Sequence, residues 1–412
     1  MHARRRPANA FVIVMALPIV LVCACSGPAR GTAVESPAVE SGSPELAVPV
    51  AGPPADSVIA SGSASVVATD LPTGVASAPS ASTSPADSAD AEIPSALTPN
   101  PVTRPVIEPT PSSTRALPAN AYVDVSVATL WHSPSSPRTV DAPAIAQPAH
   151  VRDWLAAMTL SQRLALNGRV DSQLLLGSHV VVDRQSGGWA HVLVPDQPTP
   201  LDTRGYPGWI PLGQLSFRAP AAPAQDALVT SPTAWLFRNG SKLFEVSMAT
   251  RLPVLGVDGD WVDSQLPDGT AVSLRRADVT LAAPGVVAFP SSGADVVRMA
   301  GLFKGLPYLW GGTSGFGFDC SGFTHLVYEM HGVTIPRDAD AQARAGTAVA
   351  RADLQPGDLI FFAQNNFVHH VGIYIGNNLM LHAPQTGSVV SVVSLSAQPY
   401  ASEYAGARRY LH

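Results

Sequence analysis

The chain has 412 residues, 14% of them charged, and a formal net charge of −6. That length allows two to four domains with sizeable cores. The acidic balance and the lack of any basic stripe exclude nucleic acid as a partner.

Arg4, Arg5 and Arg6 precede an apolar run of roughly a dozen residues, too short and wrongly flanked for a spanning helix. The run ends Val22-Cys23-Ala24-Cys25-Ser26. Small residues just before a cysteine resemble a bacterial lipoprotein signal. The resemblance implies a signal peptide and lipobox over 1–25 and a lipid on Cys25. It also implies an exported protein held on a membrane facing the periplasm or cell wall. Cys320 is then a lone thiol in an exported chain, where cysteines are usually paired or omitted.

No aromatic residue occurs from Ser26 to Ala121, and Ala, Ser, Pro, Thr and Val dominate. Such a stretch buries too little apolar area to offset its chain entropy, which predicts a disordered linker over 26–120. A first domain is expected over 121–217. Val123-Asp-Val-Ser-Val alternates like a strand. A helical insertion follows over Val151–Asn167, with Trp154, Leu155 and Met158 on one face. Thr159-Leu-Ser-Gln162 has the spacing of a capping box. Strand signals return at Val180–Asp183 and Trp189–Val194, around the turn Ser186-Gly187-Gly188. Gly205-Tyr-Pro-Gly-Trp-Ile-Pro211 comes next.

A second unit, 226–283, repeats this pattern. Val254–Trp261 parallels Val180–Trp189, and each tryptophan stands six residues before a proline (Trp189/Pro195, Trp261/Pro267). Short strands, glycine turns and one such tryptophan per unit predict two small all-β barrels. They resemble the bacterial SH3-like modules that accompany cell-wall enzymes.

The third unit is expected over 290–412. Ser292 can cap a helix running to about Lys304. Asp319 is placed to cap a helix opened by Cys320. Phe323, Leu326, Val327 and Met330 give that helix an apolar face, and Gly332 ends it. Strands are expected at Asp358–Ala363, His370–Ile375, Leu379–Ala383 and Val389–Leu395. A thiol-bearing helix packed on an antiparallel sheet is an α+β layout.

A thiol at a helix N-terminus is expected to favour its thiolate. As a nucleophile it needs a base. His325 and His331 share its helix and cannot fold back on it. His369 and His370 point to opposite faces of a strand, so only one can meet the thiol. The next strand carries His382. If the hairpin loop is the odd-length Gly376-Asn377-Asn378, Gly372 stands opposite His382, and His370 and His382 share a face. A two-residue loop would separate them. On the odd-loop reading His370 is the base and His382 orients it.

The strings DCSGF, HVGIYIG and LHAP, in that order after PYLWGG, resemble the NlpC-type cell-wall cysteine peptidases, which have a papain-like fold. The resemblance covers Ala294 to Leu411. It implies Cys320 as nucleophile, His370 as base, His382 as third member, and the Cys320 N–H in the oxyanion hole. It also places Tyr308, Asp319 and Ser321 at the substrate, with Asp319 offered to the free amine of an N-terminal L-alanine of a murein stem peptide. Two SH3-like modules before this domain resemble the γ-D-glutamyl-L-diamino acid endopeptidases. Their first barrel supplies a tyrosine that narrows the site, and Tyr206 is the candidate here. The expected reaction is hydrolysis of the D-γ-glutamyl to diaminopimelate (or lysine) bond through a thioester.

Trp310 reads as packing. Arg337 and Asp338, in IPRDADAQARAG, line the groove or lie in a solvated loop. No cofactor is implied. The absence of CxxC, HxxxH and HExxH spacings argues against a metal site. The expected partners are peptidoglycan stem peptides and, through the anchor, a membrane, with the chain a monomer. The alternatives are an amidase or acyltransferase on the same scaffold, a non-catalytic wall-binding protein, and a redox or metal-binding protein.

Overall fold

A computed structural model of the chain describes residues 115–220, 223–286 and 289–411. The signal segment, Cys25 and the linker as far as residue 114 lie outside the described residues.

The first barrel opens with the strand Ala119–Val123, slightly ahead of the expected start. Among the described residues its sheet runs Val170–Leu175, Val127–Trp131, Tyr206–Pro211, Trp189–Val194, His179–Ser186, Ala119–Val123, Leu215–Ser216. The helical insertion is two short helices, Val151–Ala157 and Leu160–Leu164. The capping box between them forms in both directions. Thr159 Oγ1 accepts from the Gln162 N–H at 3.3 Å, and Gln162 Oε1 accepts from the Thr159 N–H at 2.9 Å. Trp154, Leu155 and Met158 are buried as their spacing predicts. The indole of Trp154 donates to Asp141 at 2.8 Å, and Arg138 grips that same carboxylate through two nitrogens.

The second barrel splits into a five-stranded and a three-stranded sheet. The repeat read from the sequence is a repeated hairpin. Ser186 pairs with Trp189 across Gly187-Gly188, and Asp258 pairs with Trp261 across Gly259-Asp260. Gly187, Gly188 and Gly259 all have positive φ, which two-residue hairpin turns require.

In the third domain a six-stranded antiparallel sheet runs Thr347–Val349, Tyr404–Arg409, Leu359–Gln364, Phe367–Gly376, Leu379–His382, Ser391–Ser394. The strand Tyr404–Arg409 was not expected. Its sequence, YAGARR, ends in charge, yet both arginines are engaged from the strand. Arg409 Nε donates to Asp358 at 2.8 Å and Arg408 Nε to the Ala343 carbonyl at 2.7 Å.

The cysteine helix spans Cys320–Met330. It was expected to show one apolar face, but every residue in it except Glu329 is buried. A helix buried all round is the central element of its domain rather than a surface helix. The sheet strand Phe367–Gly376 and the helix Gly293–Gly301 pack against it. Gly322 permits a close approach: a Cβ there would sit 2.1 Å from the Gly312 carbonyl oxygen.

Besides cores of their own, the three units share one. Trp131, Trp154, Met158 and Val170 of the first barrel join one buried cluster with Tyr308, Phe318, Phe323 and Tyr328 of the third domain. Leu228 and Met248 of the second barrel belong to it as well. A shared core holds the first barrel against the thiol-bearing domain as one packed body.

Candidate active site

Asp319 takes extended backbone angles and caps the helix, its Oδ1 accepting from the Gly322 N–H at 2.6 Å. Cys320 follows as the first helical residue. Its N–H therefore has no acceptor within the helix. The thiol is 8% exposed. The expected acidic thiol is not found: burial pushes Cys320 up to about 12, and the adjacent Asp319 charge adds to this. The Val371 N–H, Arg337 and the Ser321 N–H oppose the rise without overcoming it. Desolvation outweighs the helix terminus here because almost no water reaches the sulfur.

Val371, whose amide lies against the thiol, directly follows His370. His370 and His382 share a hydrogen bond of 2.9 Å between Nε2 and Nδ1. That leaves His370 Nδ1 as the ring nitrogen available to the thiol. Both imidazoles are buried, with Phe362 against His370 and Tyr400 against both at ring distances of 5.2–5.9 Å. Burial pushes His370 down to about 3, helped by His382 and His369, and pushes His382 down to about 4. At neutral pH the Cys320 thiol and the His370 imidazole are thus both uncharged at rest. His369 points the other way and meets Glu403 at 3.2 Å.

The loop between the two histidines is not the three-residue loop expected. Gly376 pairs with Leu379 across Asn377-Asn378, both at positive φ, so the turn has two residues. A bulge between Tyr374 and Gly376 then adds back one residue, and Ile373 pairs with Leu381. The register beyond the bulge is the one the odd loop would have produced. His370 and His382 therefore share a face, for a different reason. Gly372 keeps the strands close: a Cβ there would come within 2.7 Å of Met380 Sδ and 3.2 Å of His382 Cβ. Gly372→Ala is expected to cost about 1–3 kcal/mol of stability, read from the denaturant midpoint, and to lower turnover by splaying the pair.

The buried histidines also set a pH dependence. His325 is pushed down to about 4 by burial, as His370 and His382 are to about 3 and about 4. Their ordinary value is 6.5. Between these values the unfolded chain binds protons that the folded chain refuses. The stability these histidines contribute is therefore expected to fall as pH drops below about 6.5 towards about 4. Carboxyls that desolvation raises, Asp124 to about 6, Glu329 to about 7, and Asp171, Asp226 and Asp338 in the same direction, work against the trend, while His331, also pushed down by burial, adds to it. Melting temperature measured across that range checks this, and His370→Gln should flatten the slope.

Arg337 overturns the solvated-loop reading, since it is fully buried. Its Nη1 donates to Asp319 Oδ1 at 3.1 Å and to Ser321 Oγ at 3.0 Å, and its Nη2 donates to Asp319 Oδ2 at 2.7 Å. Its Nε donates to Ser172 of the first barrel at 2.8 Å. The Gly311 N–H adds a further donor to Asp319 Oδ2 at 2.9 Å. Tyr308 is buried beside Cys320 and Asp319, and burial pushes its phenol well up. Tyr206 reaches this domain from the first barrel, its hydroxyl donating to Asp338 at 3.4 Å. Asp171 lies in the same corner, 3.4 Å from His132. Trp310 packs as expected, its indole donating to the Val170 carbonyl at 2.9 Å.

Sequence reasoning missed Gln342, Asp171, Ser172 and Tyr400. Gln342 is buried, donating to the Ser321 and Pro336 carbonyls and accepting from Thr324. Its place in the same short segment as Arg337 was the one available signal. For the other three no local pattern stands out.

The NlpC/P60 family profile matches residues 305–409, and the profile of the YKFC SH3b2 domain matches residues 229–281. A γ-D-glutamyl-L-lysine dipeptidyl-peptidase of Bacillus cereus is 45% identical over 305 residues, 71% of this chain and 91% of that protein. The enzyme of that same name from Bacillus subtilis is 39% identical over 290 residues, 69% of this chain and 96% of its own length. The crystal structure of an NlpC/P60 family protein from Bacillus cereus aligns with a TM-score of 0.68 at 43% identity, covering 71% of this chain and all of that one. The chain therefore belongs to the NlpC/P60 family of cysteine-type peptidases, with SH3-like barrels ahead of the peptidase domain.

Proposed function

We propose that the protein is a peptidoglycan peptide hydrolase that cuts between D-γ-glutamate and the L-diamino acid of murein stem peptides bearing a free N-terminal L-alanine. The names of the two Bacillus relatives support the bond and the release of a dipeptide. The observation that carries the specificity is the contact of Tyr206 with Asp338, which sets a first-barrel side chain against the peptidase domain beside the proposed amine-binding carboxylate.

Cys320 is the nucleophile. Its Sγ attacks the γ-carbonyl carbon while His370 Nδ1 takes the thiol proton. His382 holds the ring by its Nε2 and disperses the charge that His370 gains. The Cys320 N–H faces the developing oxyanion. The tetrahedral intermediate expels the amine of the diamino acid, which receives the proton from His370. Water, deprotonated by His370, then cleaves the thioester. Neutral partners at rest suit this cycle, because charge separates only once the substrate has displaced water.

The amine-binding role expected of Asp319 passes to Asp338 in this proposal. Asp319 already accepts from Arg337, Gly311, Gly322 and Ser321, which fills its acceptor sites. Ser321 is likewise spent on Arg337 and Asp319. Among the described residues, the Asp338 carboxylate has one hydrogen bond, from Tyr206. Burial raises its pKa, as expected of a carboxylate short of partners. A substrate ammonium would supply that partner, with Asp171 adding negative charge nearby. Tyr308 is buried beside Cys320 and Asp319.

The test is incubation with L-Ala-γ-D-Glu-L-Lys and with its diaminopimelate counterpart. Release of the free diamino acid and the dipeptide is expected from at least one. Cleavage on the other side of D-glutamate, or none, overturns the reading. Export and anchoring through Cys25 rest on the sequence. They are checked by palmitate labelling, lost in Cys25→Ser.

A further inference from the structure

Arg337 is bonded in two domains at once. On the peptidase side it grips Asp319 through two nitrogens and touches Ser321, the residues flanking Cys320. On the barrel side its Nε donates to Ser172 Oγ at 2.8 Å and its backbone N–H to the Pro198 carbonyl at 3.0 Å. The links continue from there. Ser172 Oγ donates to Gln197 Oε1 at 2.7 Å, and Gln197 Nε2 donates to the Gln173 carbonyl at 2.8 Å. That carbonyl also accepts from Thr313 Oγ1 at 2.9 Å, and Gln173 Oε1 accepts from Ser314 Oγ at 3.1 Å. Thr313 follows Gly312, whose carbonyl receives the Asp319 N–H at 3.1 Å. The path thus leaves the cysteine helix at Asp319, crosses the first barrel and returns to Asp319.

We propose that Arg337 is a positioning residue that makes the seating of the first barrel part of the structure holding the nucleophile. This rests on Cys320 being the nucleophile, and adds a role that none of the site chemistry requires of Arg337. The reason is geometric. Ser172, Gln173, Gln197 and Arg337 are all buried, so each lost hydrogen bond leaves a polar group with no water to replace it. Loosening the barrel therefore frees Asp319, and Asp319 sets the backbone from which Cys320 departs. A planar fork meeting four acceptor atoms on three residues in fixed directions suits this joint, and an ammonium does not. The charge matters too. Asp319 stands next to the sulfur, and Arg337 is the cation that offsets it.

The test uses the full chain and reads iodoacetamide alkylation of Cys320 beside hydrolysis, at several pH values between about 7 and 10. Arg337→Gln is expected to slow alkylation by about tenfold at fixed pH, since the unbalanced Asp319 charge disfavours the thiolate. A merely structural loss has the opposite sign: loosening exposes a buried thiol and speeds its alkylation. Arg337→Lys should keep the alkylation rate closer to wild type, yet lower kcat by about tenfold with KM little changed. Ser172→Ala touches no residue of the reaction and also covers the case in which Arg337→Gln fails to fold. It should lower kcat severalfold. Alkylation rates at or above wild type in Arg337→Gln, or an unchanged kcat in Ser172→Ala, overturn the proposal. Alkylation needs no peptide substrate, so a chain that cleaves neither stem peptide refutes the proposed activity without touching this result.

Discussion

Cys320→Ala is expected to lower turnover of the stem tripeptide by at least about 10⁴-fold while leaving the fold intact. The size follows from the mechanism. Without sulfur no thioester forms, and what remains is binding and the electrostatics of the cleft. The fold should tolerate the change, because the helix start is not held chiefly by the thiol. That work belongs to Asp319, through Gly322, Gly311 and Arg337. His370→Ala should cost nearly as much. The double variant should be little worse than either single one, since the two residues act as a unit. Far-ultraviolet circular dichroism checks the fold, and chromatographic detection of released diamino acid checks the rate. Retention of more than about a hundredth of the activity in Cys320→Ala would refute the nucleophile assignment.

N-acetylation of the substrate is expected to lower kcat/KM by about 10²–10³-fold. On the proposed binding mode, acetylation removes the charge that would pair with Asp338 and leaves that carboxylate desolvated beside the substrate. It also adds bulk against Tyr206, which is buried. Asp338→Asn should lower activity on the free-amine substrate about 10–100-fold and narrow its advantage over the acetylated one. Tyr206→Phe removes only the hydroxyl and should do less. Equal cleavage of the two substrates would sink both the free-amine requirement and the role given to the first barrel.

The peptidase motifs were legible because their chemistry restricts residue types over a few positions. Asp-Cys-Ser-Gly is a helix start in any setting that lets it cap, and Gly322 is required by a carbonyl close above it. The capping box at Thr159 and the paired glycine hairpins before Trp189 and Trp261 were legible for the same local reason. The parity of His370 and His382 shows how far a residue count reaches. Counting gave their common face, because a two-residue turn plus one bulged residue sums to the same offset as a three-residue loop. It could not divide the offset between turn and bulge, since Asn377 and Asn378 tolerate positive φ in either arrangement.

The sequence by itself determined the order of domains, the thiol at a helix start, two histidines on one strand face and the all-β character of the barrels. Tertiary packing decided the rest. It turned a helix expected to have one apolar face into one buried nearly all round, and so raised the thiol instead of acidifying it. It also took Arg337 out of water and moved the open carboxylate from Asp319 to Asp338. The physical reason is range. Helix caps, turns and strand faces depend on residues a few positions apart, whereas desolvation and charge pairing depend on which distant segments close over a group. Ser172 and Arg337 meet across 165 residues, and no periodicity in the chain records that contact.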